Sequence, residues 1–211
     1  MNNDIHPETK QERTLEACVA GWTQLSSGIH YHKLVDFQSP NAFGTYNLSN
    51  EEWDNREMIM NFKNNSELTD PISHKNALDK VTQLLLPLLK DTFGELLPTL
   101  TLVCIPASTA EKTAARYKEF AQIVTHATGM VNGYDHIAVV MDQEHLEDSH
   151  LPQYTIDLAF FEGRKVLLFD DIMATGGSVN KFALRMKETG ADVIAAVVLG
   201  KTVSRRRGND E

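Results

Sequence analysis

The sequence predicts an α/β protein with a doubly wound, mostly parallel and twisted sheet. The first observation is a set of short, continuously apolar runs, which are typical of strands buried on both faces of a parallel sheet. The second is that helical patterns alternate with these runs over residues 100–200. The third is a strand–turn–helix–strand unit over residues 166–199, whose strands are expected to be parallel and joined by a right-handed crossover.

The first third of the chain carries weaker patterns. Thr14–Leu25 has apolar residues at helical spacing and predicts a short helix. Residues 26–50 are rich in Ser, Asn, Gly and aromatic residues, which predicts irregular structure. The apolar run Met58–Phe62 precedes a Lys-Asn-Asn turn and is interpreted as a first strand.

A long helix is expected next. Ser73 is the predicted N-cap of a helix from His74 to about Thr92, with Gly94 at its end. Pro87 lies inside this helix and is expected to kink it.

Strands and helices then alternate. Leu100–Ile105 predicts a buried strand, Thr109–Thr128 a helix that ends at Gly129, and Ile137–Met141 another strand. Residues 142–162 form an acidic loop region.

The last unit is the clearest. Val166–Phe169 predicts a buried strand and Asp170–Ser178 a polar turn. A helix over about Val179–Met186, closed by Gly190, and a strand over Val193–Leu199 complete it.

Composition excludes several classes of protein. The chain has 211 residues, a net charge of −9 and two cysteines. The charge argues against broad nucleic-acid binding, which requires cationic neutralisation of phosphates. The sequence contains no apolar run long enough to span a membrane and no secretory signal. With too few cysteines for a disulfide framework, we expect a cytoplasmic protein.

The segment VLLFDDIMATGGS, Val166 to Ser178, contains the residue types expected of a ligand-binding site. Asp170 and Asp171 follow a buried strand, at the end of the sheet where ligands of α/β proteins bind. The small residues that follow let backbone N–H groups approach an anion, and the next helix adds the partial positive charge of its N-terminus. The segment has neither the lysine of a Walker loop nor the Rossmann glycine spacing. It therefore predicts a phosphate cradle beside two carboxylates, which suit sugar hydroxyls or Mg²⁺.

This segment resembles the phosphoribosyl pyrophosphate (PRPP) motif of type I phosphoribosyltransferases. Other stretches resemble the competence-protein-F-like group of that family, namely REMIMNFKNN, VCIPAS, the RYKEFAQ helix and FFEGRKVLLFDDI. The purine-site signature of adenine phosphoribosyltransferases is missing, and Ala174 stands where hypoxanthine-guanine enzymes carry a catalytic Asp.

The resemblance implies a role for each part of the motif. Asp170 and Asp171 are the expected catalytic residues and face the ribose hydroxyls. The expected 5′-phosphate site is the loop of Ala174, Thr175, Gly176, Gly177 and Ser178. The expected pyrophosphate contacts are Ala107, Ser108, Thr109 and Arg116.

Other basic residues leave alternatives open. Arg116 is preferred to Lys112 and Lys118 on the same helix. It is either a contact to the pyrophosphate or to a flexible loop, or a surface charge. Lys63 has the same two interpretations, with weaker support. Lys201 is either an acceptor-binding residue or a strand-end lysine in a basic tail.

We expect both carboxylates to be exposed at the strand end. A side chain at Gly176 or Gly177 is expected either to intrude on the phosphate or to require a φ that only glycine tolerates well. Mg²⁺ is the implied cofactor. It would be bound through PRPP, and Asp170 and Asp171 are left open as metal contacts.

The resemblance implies the type I phosphoribosyltransferase fold over residues 55–203. Residues 1–54 would form an N-terminal extension or hood, and residues 204–211 a flexible tail. The implied function is transfer of the phosphoribosyl group of PRPP to a nitrogen acceptor, expected to be a nucleobase. The alternative is a non-catalytic PRPP- or nucleotide-binding protein on the same fold. The expected partners are PRPP and a small acceptor, with no membrane or nucleic acid, and a homodimer is left open.

Overall fold

The computed structural model describes residues 14–39, 48–65, 69–141 and 153–203. A six-stranded sheet has the strand order β1-β2-β8-β7-β3-β4, and β5 and β6 form a separate antiparallel pair. In chain order the strands are β1 (Thr23–Gln24), β2 (His30–Gln38), β3 (Leu100–Cys104), β4 (Val131–Asn132), β5 (Ile137–Met141), β6 (Gln153–Ile156), β7 (Lys165–Met173) and β8 (Asp192–Val203). In the six-stranded sheet only β1 pairs antiparallel, so the predicted, mostly parallel α/β sheet is confirmed.

Helices cover both faces of this sheet. They are α1 (Leu15–Val19), α2 (Asn50–Phe62), α3 (Pro71–Phe93), α4 (Ala110–Thr128), α5 (Leu158–Phe161) and α6 (Gly177–Glu188). In β7, Leu167 and Phe169 pack into the cluster formed with α1 to α4, while Val166 and Leu168 pack into the cluster formed with α5 and α6. Because successive strand residues point to opposite faces, an unbroken apolar strand can serve both clusters.

The strands and helices predicted from residue 100 onward are present. Two loop predictions were wrong in part, because β7 continues into the predicted turn as far as Met173, and β6 and α5 lie within the predicted acidic loop region. β3 is buried throughout its length, and α4 begins after Thr109, whose side chain caps it. Gly129 ends α4 in the left-handed conformation, with φ of +72°. The strand predicted at Ile137–Met141 is confirmed, although it lies outside the main sheet.

The first part of the chain departs from the predictions. α1 ends at Val19, so the helix expected over Thr14–Leu25 is shorter than predicted. Irregular structure was expected over residues 26–50, but β2 crosses this range and pairs in parallel with β8. Residues within 1–54 therefore contribute two strands to the central sheet. Most of β2 is only half-buried, and no simple alternation of apolar and polar residues marks it.

The strand predicted at Met58–Phe62 was wrong, because these residues are the last turns of α2. Met58, Ile59 and Phe62 are buried at helical spacing. Ser49 and Glu52 form a reciprocal capping box that begins this helix.

The long helix also begins earlier than predicted. The N-cap is Asp70, whose carboxylate accepts hydrogen bonds from the backbone N–H groups of Ile72 and Ser73. Pro71 takes the first helical position, where its missing N–H costs nothing. The helix is continuous through Pro87 and is closed by Gly94.

The predictions for residues 1–13 and 204–211, and for residues 142–152 of the acidic loop region, fall outside the described residues. Within the described ranges, no helix combines the length and the apolar character that crossing a membrane requires.

Candidate functional site

The parallel register brings the predicted site segments to one edge of the sheet. β7 lies between β3 and β8, with Cys104 opposite Phe169 and Met173 opposite Lys201. Three segments therefore lie at the carboxyl ends of adjacent strands. They are the loop after β3, the acidic pair (Asp170 and Asp171) and the loop predicted to bind the 5′-phosphate (Ala174–Ser178, here the phosphate loop). This edge is where open α/β sheets bind ligands.

The acidic pair is buried, contrary to the prediction that both side chains are exposed. Asp170 and Asp171 are only 8% and 5% exposed. β7 continues to Met173, so both residues belong to the strand; Asp170 lies opposite Val198 of β8, whereas the pairing with β3 ends at Phe169. Asp171 N donates to Asp170 Oδ1 at 2.9 Å, and Ile172 N donates to Asp171 Oδ1 at 2.6 Å.

Two cations meet at Asp171. The guanidinium of Arg116, on α4, donates from Nη1 to Asp171 Oδ2. Lys63 Nζ, just after α2, lies 3.8 Å from the same oxygen. The Arg116 side chain is 12% exposed and that of Lys63 is 34% exposed. Of the two open interpretations of Arg116, surface charge is wrong, because its guanidinium is largely buried against the acidic pair.

The two carboxyl groups have different electrostatic surroundings. Burial, together with the charge of Asp171, raises the pKa of Asp170 to about 8. Burial likewise raises the pKa of the Cys104 thiol and of the Tyr117 hydroxyl. Asp171 differs from Asp170 in its contacts, because Arg116 and Lys63 both lie beside its carboxylate.

Buried polar atoms beside the pair remain without partners. Arg116 Nε and the Tyr117 hydroxyl are buried and have no hydrogen-bond partner among the described residues. Such atoms are uncommon in folded proteins.

Sequence reasoning missed the residue that positions Lys63. Asn64 has a positive φ of 49°, a conformation that asparagine tolerates better than most residues. Its side-chain amide donates to Ala115 O at 3.1 Å and ties the end of α2 to α4. This bond joins the residue after Lys63 to the residue before Arg116, and these two cations both approach Asp171 Oδ2. The Lys-Asn-Asn turn was the signal that could have pointed to it.

The phosphate loop ends in a helix N-terminus without a side-chain cap. Gly176 is the N-cap residue of α6 and has no side chain that could accept hydrogen bonds from the first turn. Its φ is +87°, whereas Gly177 lies outside the left-handed region. The predicted conformational need for glycine thus holds at Gly176 and is wrong at Gly177. Thr175 and Ser178 are exposed, so their hydroxyls are accessible to a ligand.

An N-terminal hairpin braces this loop, which the sequence did not indicate. A Cβ on Gly176 would lie 2.8 Å from the Leu25 side chain, so the hairpin packs directly on the loop. Ser27 Oγ donates to Asn180 Oδ1 on the first turn of α6. β1 and β2 pair on either side of this contact.

The predicted pyrophosphate loop lies between β3 and α4. Ala107 N donates to Thr113 Oγ1 at 3.0 Å, and Lys112 N donates to Thr109 Oγ1 at 3.2 Å. The Ala107 N–H is therefore occupied within the protein, although we predicted it as an anion donor. Ala107, Ser108 and Thr109 are each partly exposed.

Lys201 contacts the phosphate loop. Its ammonium group donates to Ala174 O at 2.5 Å and to Thr202 O at 3.2 Å. These bonds tie the end of β8 to the residue after β7. They give Lys201 a structural role in holding the loop.

The donor set does not fit a resident magnesium ion. Across the described ranges, no three His, Cys, Asp or Glu side chains group so as to hold a metal. Asp171 is already neutralised by two cations. A Mg²⁺ ion at this edge would have to arrive with ligand oxygens.

These features define an α/β protein in which a helix N-terminus without a side-chain cap and two cations lie near a buried acidic pair at one edge of the sheet. The chain belongs to the phosphoribosyl transferase domain family, which matches residues 99–210, more than half of its length. A solved adenine phosphoribosyltransferase from Thermoanaerobacter pseudethanolicus is similar at 14% identity and a TM-score of 0.40, over 64% of this chain and 83% of that chain. No curated protein matches this chain.

Proposed function

We propose that the protein transfers the 5-phosphoribosyl group of PRPP to a nitrogen acceptor, a nucleobase, and releases pyrophosphate. The carrying observation is that an uncapped helix N-terminus, a buried acidic pair and two cations meet at one edge of the sheet. PRPP presents a phosphate, a diol and a pyrophosphate, and each has a chemically matched group at this edge.

The phosphate loop would hold the 5′-phosphate. Backbone N–H groups at the start of α6 and the hydroxyls of Thr175 and Ser178 supply donors, and the helix N-terminus supplies partial positive charge. Asp170 and Asp171 would hold the ribose hydroxyls. Because Asp170 has a raised pKa, it could donate one hydrogen bond while Asp171 accepts another.

The pyrophosphate would lie between the loop after β3 and the cations at Asp171. Ser108 and Thr109 precede α4, whose N-terminus favours an anion. Arg116 and Lys63 would supply positive charge to the leaving group.

The reaction is a displacement at ribose C1. The bond from C1 to the pyrophosphate oxygen breaks and its electron pair leaves with pyrophosphate. The lone pair of the acceptor nitrogen forms the new C1–N bond, and that nitrogen then loses its proton. The protein contributes by positioning the reactants and by stabilising charge on the leaving group. Mg²⁺ is proposed as part of the PRPP substrate complex, where it would neutralise pyrophosphate oxygens.

The second candidate is a non-catalytic PRPP- or nucleotide-binding protein. Ala174 favours it, because this loop position carries no acid that could act as a base near an acceptor. The N-terminal hairpin and phosphate loop would serve binding equally well in both cases.

Two measurements separate these functions. Isothermal titration with PRPP and Mg²⁺ tests binding, and pyrophosphate release over a panel of nucleobases tests transfer. We expect binding together with acceptor-dependent pyrophosphate release, and loss of both in Gly177→Val. Binding without release for any base would support the second candidate, and no binding of PRPP would refute both.

We further propose that the chain falls nearest the competence-protein-F-like group, because REMIMNFKNN, VCIPAS and FFEGRKVLLFDDI resemble stretches of that group and RYKEFAQ matches it in part. A cytoplasmic location is also proposed, since Cys18 and Cys104 are both free, as in proteins of reducing compartments.

A further inference from the structure

The carboxylate of Asp171 is already occupied within the protein. Arg116 Nη1 donates to Oδ2, and the Ile172 N–H donates to Oδ1 at 2.6 Å. In the proposed function this same carboxylate accepts a ribose hydroxyl. A ligand therefore has to compete with Arg116 for Asp171.

Arg116 depends on this ion pair. Its side chain is 12% exposed, and its Nε is buried without a partner among the described residues. The face of Tyr117 lies 5.6 Å from its guanidinium carbon, which offers only a weak alternative contact. Separating Arg116 from Asp171 would leave a buried charge unpaired, which is strongly unfavourable unless another anion replaces the carboxylate.

We propose that Arg116 is a specificity-determining residue, which releases Asp171 only to ligands that carry an anion at C1 of ribose 5-phosphate. The pyrophosphate of PRPP offers Arg116 a new partner, so Asp171 becomes free for the ribose. At C1, ribose 5-phosphate offers only a hydroxyl, so it leaves Arg116 unpaired. The Arg116–Asp171 ion pair thus selects PRPP over phosphoribosyl ligands that lack pyrophosphate. This inference rests on the proposed function.

Lys63 contributes less to this selection. Its ammonium group is 3.8 Å from Asp171 Oδ2 and its side chain is 34% exposed, so water can compensate when the contact is lost. The selectivity is therefore assigned to Arg116.

The test compares dissociation constants for PRPP and ribose 5-phosphate by isothermal titration. The variants are Arg116→Gln, which removes the cation, and Arg116→Lys, which keeps the charge but loses the planar fork. Lys118→Gln is the matched control, because it removes one exposed cation from the same helix. Circular dichroism establishes that each variant is folded, and Arg116→Lys serves if Arg116→Gln is not.

We expect opposite effects on the two ligands in Arg116→Gln. PRPP should bind about 10-fold or more weakly, and ribose 5-phosphate about 3- to 10-fold more tightly, since it no longer competes with a buried ion pair. Arg116→Lys should shift both in the same directions by less, and Lys118→Gln should leave their ratio unchanged.

A purely structural role for Arg116 predicts equal weakening of both ligands, and that result would overturn the inference, as would no change in either. If the wild-type protein binds PRPP, such a failure concerns Arg116 alone. If it binds no PRPP, the proposed function fails and this inference fails with it.

Discussion

Replacing Gly177 with Val tests whether the phosphate loop binds a phosphate. Gly177 is the first residue of α6, and a Cβ placed on it would come no closer than 3.6 Å to its nearest neighbour, Thr175 Oγ1. Its φ lies outside the left-handed region, so a side chain imposes no backbone strain there. Gly176 differs on both counts, with φ of +87° and a Leu25 methyl 2.8 Å from the added Cβ.

Gly177→Val is therefore expected to change the free energy of unfolding little and the affinity for a phosphate strongly. Val is a better helix residue than Gly, so we expect the free energy of unfolding to change by less than about 1 kcal/mol. A side chain at Gly177 would occupy space that a phosphate needs beside the N–H groups of α6. Loss of two charge-assisted hydrogen bonds, at roughly 1.5–3 kcal/mol each, corresponds to a loss of about 10²- to 10⁴-fold in affinity.

The assay is isothermal titration of ribose 5-phosphate and of pyrophosphate against folded protein. Gly177→Val should lose ribose 5-phosphate binding, and Thr175→Ala should lose about one charge-assisted hydrogen bond, roughly 1.5–3 kcal/mol. Both should keep their affinity for pyrophosphate, whose proposed site lies elsewhere on the sheet edge. Undiminished ribose 5-phosphate affinity in folded Gly177→Val protein would refute the phosphate cradle and the transferase function with it.

Three further outcomes follow from the acidic pair. Because the folded protein holds the Asp170 proton up to a pKa of about 8 while the unfolded chain releases it near the ordinary value of 3.8, stability should fall as pH rises between these values. Asp170→Asn should remove this dependence of stability on pH. It should also raise the urea midpoint at pH 8 by the equivalent of a few kcal/mol, since one pKa unit corresponds to about 1.4 kcal/mol. An unchanged pH dependence would contradict the argument from burial. Asp171→Asn should lower the free energy of unfolding by about 3 kcal/mol, because it leaves Arg116 unpaired. The double variant Asp171→Asn/Arg116→Gln should recover part of this loss. An unaltered urea midpoint in Asp171→Asn would count against the prediction. PRPP should raise the melting temperature more with Mg²⁺ than with EDTA, since Arg116 and Lys63 carry fewer charges than the pyrophosphate; equal shifts would speak against a Mg²⁺-bridged ligand.

The central strands were predictable because of where they lie. β3, β7 and β8 are covered on both faces, so each contains a short unbroken apolar run of the kind that is typical of strands in a parallel sheet. The end of α4 at Gly129 was also predictable, because helices commonly end in a left-handed residue and glycine favours that conformation.

β2 was not predictable for the opposite reason. Its residues are mostly half-buried, so its sequence mixes polar, aromatic and aliphatic residues without a clear period. Its place in the sheet comes from pairing with β8, more than 150 residues later in the chain, and no local pattern records such a contact. The strand prediction at Met58–Phe62 failed because five apolar-rich residues fit the end of a buried helix as well as a strand.

The site was also predictable only in part. The residue types of the acidic pair and the phosphate loop can be read from one contiguous segment, and their position at the edge of the sheet follows from the parallel topology. The contact between Arg116 and Asp171 joins residues 55 positions apart and depends on how α4 packs over β7. The extent of burial is also a tertiary property. For this reason the acidic pair was expected to be exposed.

The fold makes two identical side chains chemically different. Asp170 and Asp171 are neighbours in one strand and alternate between its two faces. Asp171 contacts Arg116 and Lys63, whereas burial and the neighbouring charge of Asp171 raise the pKa of Asp170. A pair of this kind can accept a hydrogen bond from one ligand hydroxyl and donate one to another, which two ionised carboxylates cannot do. The distinction originates in α2 and α4, outside the motif, so a variant of either helix that displaces a cation should change the chemistry of the pair without altering its sequence.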